Sequence, residues 1–457
     1  MSNSRNVEPE ARPKAVVVAV QLPDVTDEAF ASSLTELERL AHTLGLDTVA
    51  RVTQRRSALE NRAVLGEGKL KELAAFTGGT GVVPAYTKKP HQQQTWDDEL
   101  DPAADGGDAV SATVVLVDHD LSPGQTRNLE RATSAEVLDR SMVILSIFQR
   151  HARTREARMQ VEIAQLAYMA PRLRESNAGQ DRQRGGIGGK GAGETSLELD
   201  KRRIRDRIAE LRRELENVER DAETRRTRRS GSDASTVALV GYTNAGKSSL
   251  MRALTGDAVY VADQLFATLD TTVRVLTPLT RPRILVSDTV GFIKKLPHDL
   301  VASFRSTLAE ARDADLLLHV VDASDPAFRD QLNVTLEVLR EIGADTQPRL
   351  LLLNKLDRVP AETQEALASE FPDAFGLSAK RPEDVARLHA HIVAYFDQSM
   401  QEAALVIPYA AQRHVALLHE RTRVLEERYE ADGTHLRVRA PEAVLGGLRR
   451  EMEQERA

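Results

Sequence analysis

The 457-residue chain has no cysteine. This excludes disulfides, thiolate metal sites and a cysteine nucleophile, and it suits a reducing compartment. Aromatic residues make up only 4% of the chain, too few for an extended platform of stacked bases. No apolar run approaches the roughly 20 residues needed to cross a bilayer. The polar stretch 1–14 lacks the apolar core of a secretory signal and is expected to be a disordered tail. These absences are compatible with a cytoplasmic location, which is the one expected, with a loosely membrane-associated fraction besides. The net charge of −7 argues against a uniformly basic nucleic-acid binder but leaves room for a local basic face. No DNA partner and no transmembrane segment are expected. At this length about three domains are expected, and 41% hydrophobic residues suffice for several cores.

What is present is organised around Gly241-Tyr242-Thr243-Asn244-Ala245-Gly246-Lys247-Ser248. An apolar run, 237–240, precedes it as a buried strand, and Ser249-Leu250-Met251 opens a helix after it. That is the strand–loop–helix context of a phosphate-binding P-loop. Gly241 and Gly246 let the backbone N–H groups curl toward an anion, and the helix N-terminus adds its positive dipole end. Lys247 supplies a point charge near the outer phosphates, and Ser248 a hydroxyl for Mg2+.

Taken in order, residues 15–150 predict a small α/β domain. Strands are expected at 15–20, 48–52 and 113–118, with helices carrying Leu34, Leu37, Leu40 and Leu44, then 66–76, then 122–132. Gly66-Glu67-Gly68-Lys69 lacks the P-loop spacing and is expected to be an ordinary turn. The acidic stretch 84–109, with Pro102, Gly106 and Gly107, predicts a mobile loop. Across 151–230, Met159, Ile163, Leu166 and Ala170, then Leu197, Ile204, Ile208, Leu211, Leu215 and Val218, form narrow apolar seams. They predict two long antiparallel helices, a hairpin whose tip is the glycine-rich run 185–193. That segment carries twenty Lys and Arg against fourteen Asp and Glu. As a bare composition this fits a solvated charged hairpin slightly better than an arm that touches RNA phosphates.

Residues 235–400 alternate between strands (236–241, 274–278, 283–289, 315–322, 349–354, 374–378) and helices (299–311, 330–343, 361–369, 382–397). The alternation predicts a mainly parallel sheet covered on both faces. Residues 404–457 predict a small α+β domain: a helix at 411–424, a hairpin turning at Asp432-Gly433, and a helix after Pro441.

The base is chosen by Asn354-Lys355-Leu356-Asp357. A carboxylate at Asp357 can accept both N1–H and N2–H of guanine, a pair that adenine does not offer. The Lys355 stem can lie along the purine face, and Ser378-Ala379-Lys380 is placed to offer a backbone N–H to guanine O6. Asp288-Thr289-Val290-Gly291 ends a strand. Asp288 would hold Mg2+ through water, and Gly291 would turn its N–H to the γ-phosphate. Upstream, Phe266-Ala267-Thr268-Leu269-Asp270 marks a first switch, with Thr268 the candidate for completing the Mg2+ shell. Thr271 and Thr272 compete for that role. The γ-phosphate would order both segments and hydrolysis would release them.

These motifs resemble the P-loop GTPases. The stretches at 241–248, 266–272 and 288–297, with Asp118-His119-Asp120-Leu121-Ser122-Pro123-Gly124-Gln125 and the glycine-rich tip, resemble the HflX family within the Obg–HflX group, over about residues 15–400 and less surely beyond. The resemblance implies a bacterial cytoplasmic enzyme that hydrolyses GTP to GDP and binds the large ribosomal subunit and its ribosomal RNA as a monomer. It also implies a role in splitting or rescuing stalled and idle ribosomes under stress. It leaves open RNA remodelling, and with it ATP use by the N-terminal domain. Phe292 stands after Gly291, where a glutamine would orient water, so slow hydrolysis without a partner is expected. Asn244 stands where related GTPases help bind K+ between the phosphates, although Asn also suits the backbone of such a loop. The alternatives are an RNA-remodelling or ribosome/tRNA-maturation GTPase and a membrane-associated GTPase. No Gly-x-x-Gly loop in the tail and no amphipathic basic anchor support either.

Overall fold

A computed structural model describes residues 12–59, 62–83, 111–176, 196–230, 234–256, 265–266, 272–294 and 305–454. The chain divides into two compact units. One comprises Met1–Arg150 with Ala164–Ile208, and the other His151–Ile163 with Ala209–Ala457.

In the first unit, β1 (Lys14–Gln21), β2 (Asp47–Arg55), β3 (Val114–Val117) and β4 (Glu136–Asp139) form a sheet of order β2-β1-β3-β4. All of its pairings are parallel. β1 is buried along nearly its whole length, as a strand covered on both faces must be. Helix α1 (Asp27–Thr43) starts where Thr26 accepts from Ala29 N. It buries Leu34, Leu37, Leu40 and Ala41, the stripe expected from their spacing. Helix α2 spans Glu67–Thr77, and α3 (Pro123–Thr133) opens with a Ser122/Gln125 capping box. The sequence pattern did not reveal β4 or α4 (Arg140–His151), because a four-residue strand running straight into a helix leaves too little periodicity to register.

Two long helices follow, α5 (Arg155–Ser176) and α6 (Ser196–Ser230). Met159, Ile163 and Leu211 of the expected seams are buried, and Arg155 pairs with Glu214 at 2.7 Å. The expected glycine-rich tip, the acidic loop and all but the last three residues of the N-terminal tail lie outside the described residues.

The second unit holds a six-stranded sheet of order β10-β9-β8-β5-β7-β6. Its strands are β5 (Ser235–Gly241), β6 (Thr272–Val275), β7 (Ile284–Asp288), β8 (Leu316–Asp322), β9 (Arg349–Asn354) and β10 (Phe375–Gly376). Only β6 runs antiparallel to its neighbour. The helices are α7 (Lys247–Thr255), α8 (Arg305–Arg312), α9 (Phe328–Glu341), α10 (Ala361–Glu370) and α11 (Pro382–Gln398). One core joins Val237, Leu239, Val286, Leu318 and Val320 to Leu250, Met251 and Leu254 of α7. Each of the three α7 side chains contributes about 1.5–3 kcal/mol by burial, which anchors the helix whose first residue is Lys247. A second cluster holds Val321, Phe328, Leu353 and Leu367.

The last sheet, β11-β13-β12, is antiparallel. Its strands are β11 (Met400–Ile407), β12 (Arg423–Glu430) and β13 (Gly433–Pro441), and it packs with α12 (Arg413–Arg421) and α13 (Glu442–Gln454) around Leu418, Leu436, Val438 and Leu445. The expected boundary at 404 falls inside β11, an edge strand with weak alternation. Among the described residues no helix is long and apolar enough to cross a membrane.

Candidate functional site

β5 lies inside its sheet, and at its carboxyl end the chain turns through Gly241–Gly246 into α7. Gly241 has φ +148°, and a Cβ there would sit 2.2 Å from the Val320 carbonyl oxygen. Gly246 has φ +99°, and a Cβ there would sit 2.3 Å from Asn354 Nδ2. Close approach and backbone conformation both demand glycine. Asn244 also adopts a left-handed φ of +59°, which Asn tolerates. Gly246 gives α7 no side-chain cap, in keeping with N–H groups that serve an anion.

Lys247 is buried, and its Nζ donates to the carbonyl oxygens of Gly241 and Tyr242 at 3.0 and 2.9 Å. Burial pushes its ammonium down to about 8, against the opposing pull of the Asp288 carboxylate. Ser248 Oγ donates to Asp288 Oδ2 at 2.7 Å. A hydroxyl and a carboxylate side by side are the hard oxygen donors that suit Mg2+. Thr289 Oγ1 donates to Leu239 O at 2.7 Å, holding the segment after β7 against β5.

That segment lies directly on the P-loop. Thr243 N donates to Phe292 O at 2.7 Å and Phe292 N to Gly241 O at 3.2 Å. Lys294 N donates to the Tyr242 hydroxyl at 2.8 Å. A Cβ on Gly291 would come within 2.8 Å of Thr243 Cα. Val290 and Phe292 are buried. Phe266, also buried, donates its N–H to Thr243 Oγ1 at 3.0 Å. Ala267, Thr268, Leu269 and Asp270 lie outside the described residues.

At the carboxyl end of β9, Asn354 bridges two loops. Its Nδ2 donates to Ala245 O at 2.8 Å, and its Oδ1 accepts from Ala379 N at 3.1 Å. Lys355, at φ +63°, donates from Nζ to Asn244 O at 2.8 Å and to Asp322 Oδ2 at 2.7 Å. Leu356 opens a short 3-10 turn containing Asp357. Asp357 Oδ1 accepts from Ser378 Oγ at 2.7 Å, a bond that holds its carboxyl below the ordinary range. Lys380 N donates to Ser378 Oγ at 3.3 Å, and Ser378 N to Asp384 Oδ2 at 2.9 Å. The described motif residues thus converge at the carboxyl edge of one sheet, with Ser249 in the first turn of α7.

Sequence reasoning missed Asp322, Asp384 and the Tyr242 hydroxyl. Asp384 was accessible as an acidic residue in the first turn after Pro382, a helix-start signal. Asp322 ends an apolar strand and belongs to no motif. Gly66–Lys69 is not the ordinary turn expected but the N-cap and first turn of α2: Gly66 N donates to Gln54 Oε1 at 2.9 Å, and Lys69 pairs with Glu72 one helical turn on.

Three family profiles match the chain in succession. "GTP-binding GTPase N-terminal" matches residues 31–103 and 98–149, "GTP-binding GTPase Middle Region" matches 151–229, and "50S ribosome-binding GTPase" matches 236–355. The GTPase HflX of Gluconacetobacter diazotrophicus is 56% identical over 446 residues, covering 96% of this chain and 98% of that protein. The GTPase HflX of Escherichia coli is 38% identical over 435 residues, covering 94% of each. A GTP-binding protein of Sulfolobus solfataricus, solved in complex with GDP, aligns with 83% of this chain and 99% of its own at 22% identity and a TM-score of 0.43. With a GTPase profile over 236–355 and relatives matched nearly end to end, the chain belongs to the HflX family and is a GTPase that binds GTP and GDP.

Proposed function

We propose that this GTPase is a switch that binds the large ribosomal subunit through protein and ribosomal RNA contacts, and that it acts in splitting or rescue of stalled or idle ribosomes under stress. The observation that carries this reading is the position after Gly291. Phe292 is buried and its backbone is bonded to the P-loop, so no side chain there can orient an attacking water. Hydrolysis by the isolated chain is then slow, and a partner surface completes the site. The 50S ribosome-binding description of the profile over 236–355 supports the large subunit as that partner.

Within the site, the N–H groups of 241–248 cradle the phosphates and Lys247 sets its ammonium against the outer ones. Ser248 and, through water, Asp288 would hold Mg2+, with Thr268 the candidate for completing its shell; Mg2+ bound there would offset phosphate charge. Gly291 presents its N–H to the γ-phosphate, so the segment at 288–293 senses that phosphate. Asn244 takes part in a K+ site between the phosphates. Asp357, Ser378, Ala379 and Lys380 read the guanine edge.

The test is GTP turnover with and without purified large subunits, beside Lys247→Ala. Strong stimulation that disappears in the Lys247 variant is expected. Equal rates with and without large subunits would overturn the ribosomal reading and leave the GTPase standing. Replacing K+ by Na+ is expected to slow turnover; an unchanged rate removes the K+ site.

A further inference from the structure

We propose that Asp322 is a positioning residue for the guanine subsite and acts through Lys355. This rests on the reading of Asn354–Asp357 as the base site and adds a residue outside every motif that defines it.

Asp322 is the last residue of β8, in register with Asn354 of β9. Its two carboxylate oxygens do separate work. Oδ1 accepts from Ser324 N at 3.1 Å and from Ser324 Oγ at 2.6 Å, which fixes the side chain on its own loop. Oδ2 meets Lys355 Nζ at 2.7 Å. The backbone closes the same corner, with Ala323 N donating to Asn354 O at 3.0 Å. The ion-paired side chains are only 15% and 17% exposed, so solvent screens this pair far less than a surface one.

The ammonium of Lys355 therefore has two fixed acceptors, the Asn244 carbonyl in the P-loop and Asp322. A lysine held at its tip by two acceptors, with its own backbone at φ +63°, keeps its aliphatic stem stretched in one direction. That stem is the surface offered to a purine face. Asp322 also balances the Lys355 charge, which leaves the Asp357 carboxylate, held ionised by Ser378 with Lys380 and Arg358 nearby, to take the two N–H donors of the base. Without Asp322, Nζ keeps only a neutral carbonyl, and the stem is free to leave the base.

Asp322→Asn separates the two roles. An amide still accepts from Ser324 but carries no charge toward Lys355. We expect the release rate of a fluorescent GDP analogue to rise about tenfold, as when one partner of a close charge pair is removed. The turnover rate at saturating GTP stays within about twofold, because the γ-phosphate side is untouched. Because Asp322 acts through Lys355, the effects are not additive: adding Asp322→Asn to Lys355→Met leaves the release rate of Lys355→Met unchanged. Asp322→Glu restores part of the affinity by keeping a carboxylate. An unchanged release rate in Asp322→Asn, or additive effects in the double variant, would overturn the proposal. A merely structural role would lower the unfolding temperature of both single variants and give additive effects. Asp357→Asn serves as the reference, since an amide N–H there matches the 2-oxo group of xanthine instead of the 2-amino group of guanine. If it fails to shift preference from GDP to xanthosine diphosphate, the base-site reading itself fails. If it shifts preference while Asp322→Asn does nothing, only the role of Asp322 fails.

Discussion

At the carboxyl end of β3 the chain places Asp118, and at the carboxyl end of β7 it places Asp288; both are buried. Their surroundings differ. Asp118 accepts from Ser33 Oγ at 2.6 Å and pairs with the fully buried Arg140 at 2.8 Å, and Arg140 also binds Glu36. The neighbouring Asp139 accepts from Leu121 N, Met142 N, the Tyr168 hydroxyl and Arg172. Protein groups from four elements close that edge of the N-terminal sheet. Asp288 accepts from Ser248 Oγ, and the cation alongside is Lys247, which rests on backbone carbonyls. Two α/β sheets, one parallel and one mainly parallel, thus place acids at the ends of their strands. One spends them on internal cohesion, while the other sets them beside the glycine-containing turn at 241–246, the proposed ligand cradle.

Variants on the two sides should therefore fail in different ways. Arg140→Ala leaves Asp118 buried without its cation and should cost about 3–5 kcal/mol of stability, read as a lowered unfolding midpoint in denaturant. Soluble protein with a normal midpoint would show that the network is not a cohesive one. Lys247→Ala should do the converse. Turnover falls by about 100- to 1000-fold without a comparable loss of stability, measured by single-turnover hydrolysis beside thermal melting. A variant that melts early would erase the distinction.

Smaller changes sharpen it. Tyr168→Phe removes one of several donors to Asp139 and should cost about 1 kcal/mol, with turnover unchanged. The phenol sits well above its ordinary range, through burial first and the Asp139 charge second, so it stays protonated at every working pH and its loss adds no pH dependence. Lys247, at about 8, does titrate. It is charged below that value and loses its proton as pH rises through it. Affinity for GTP should therefore drop about three- to fourfold between pH 7 and 8.5, and Lys247→Ala should abolish most of the slope. A flat profile in the parent would show that the nucleotide does not depend on this ammonium.

Much of the second unit was legible in advance. The strands expected at 236–241, 315–322 and 349–354 match β5, β8 and β9 within a residue, because continuous apolar runs bounded by polar turns leave little choice. Gly241, Gly246, Lys247, Asp288 and Asn354 were legible for a different reason: phosphate and guanine chemistry demand those residue types at fixed spacing. β4 and β11 were not legible, being a very short strand and a weakly patterned edge.

The sequence alone therefore determined the GTPase assignment and the mainly parallel sheet, since each depends on local pattern or ligand chemistry, and it marked the residues proposed to contact the nucleotide. Only the tertiary structure decided which side chains hold those residues in place. Asp322 reaches Lys355 across 33 positions and Glu36 reaches Arg140 across 104, and no local signal connects them. Strand order and register bring such groups to one edge, and burial there makes each partner strong.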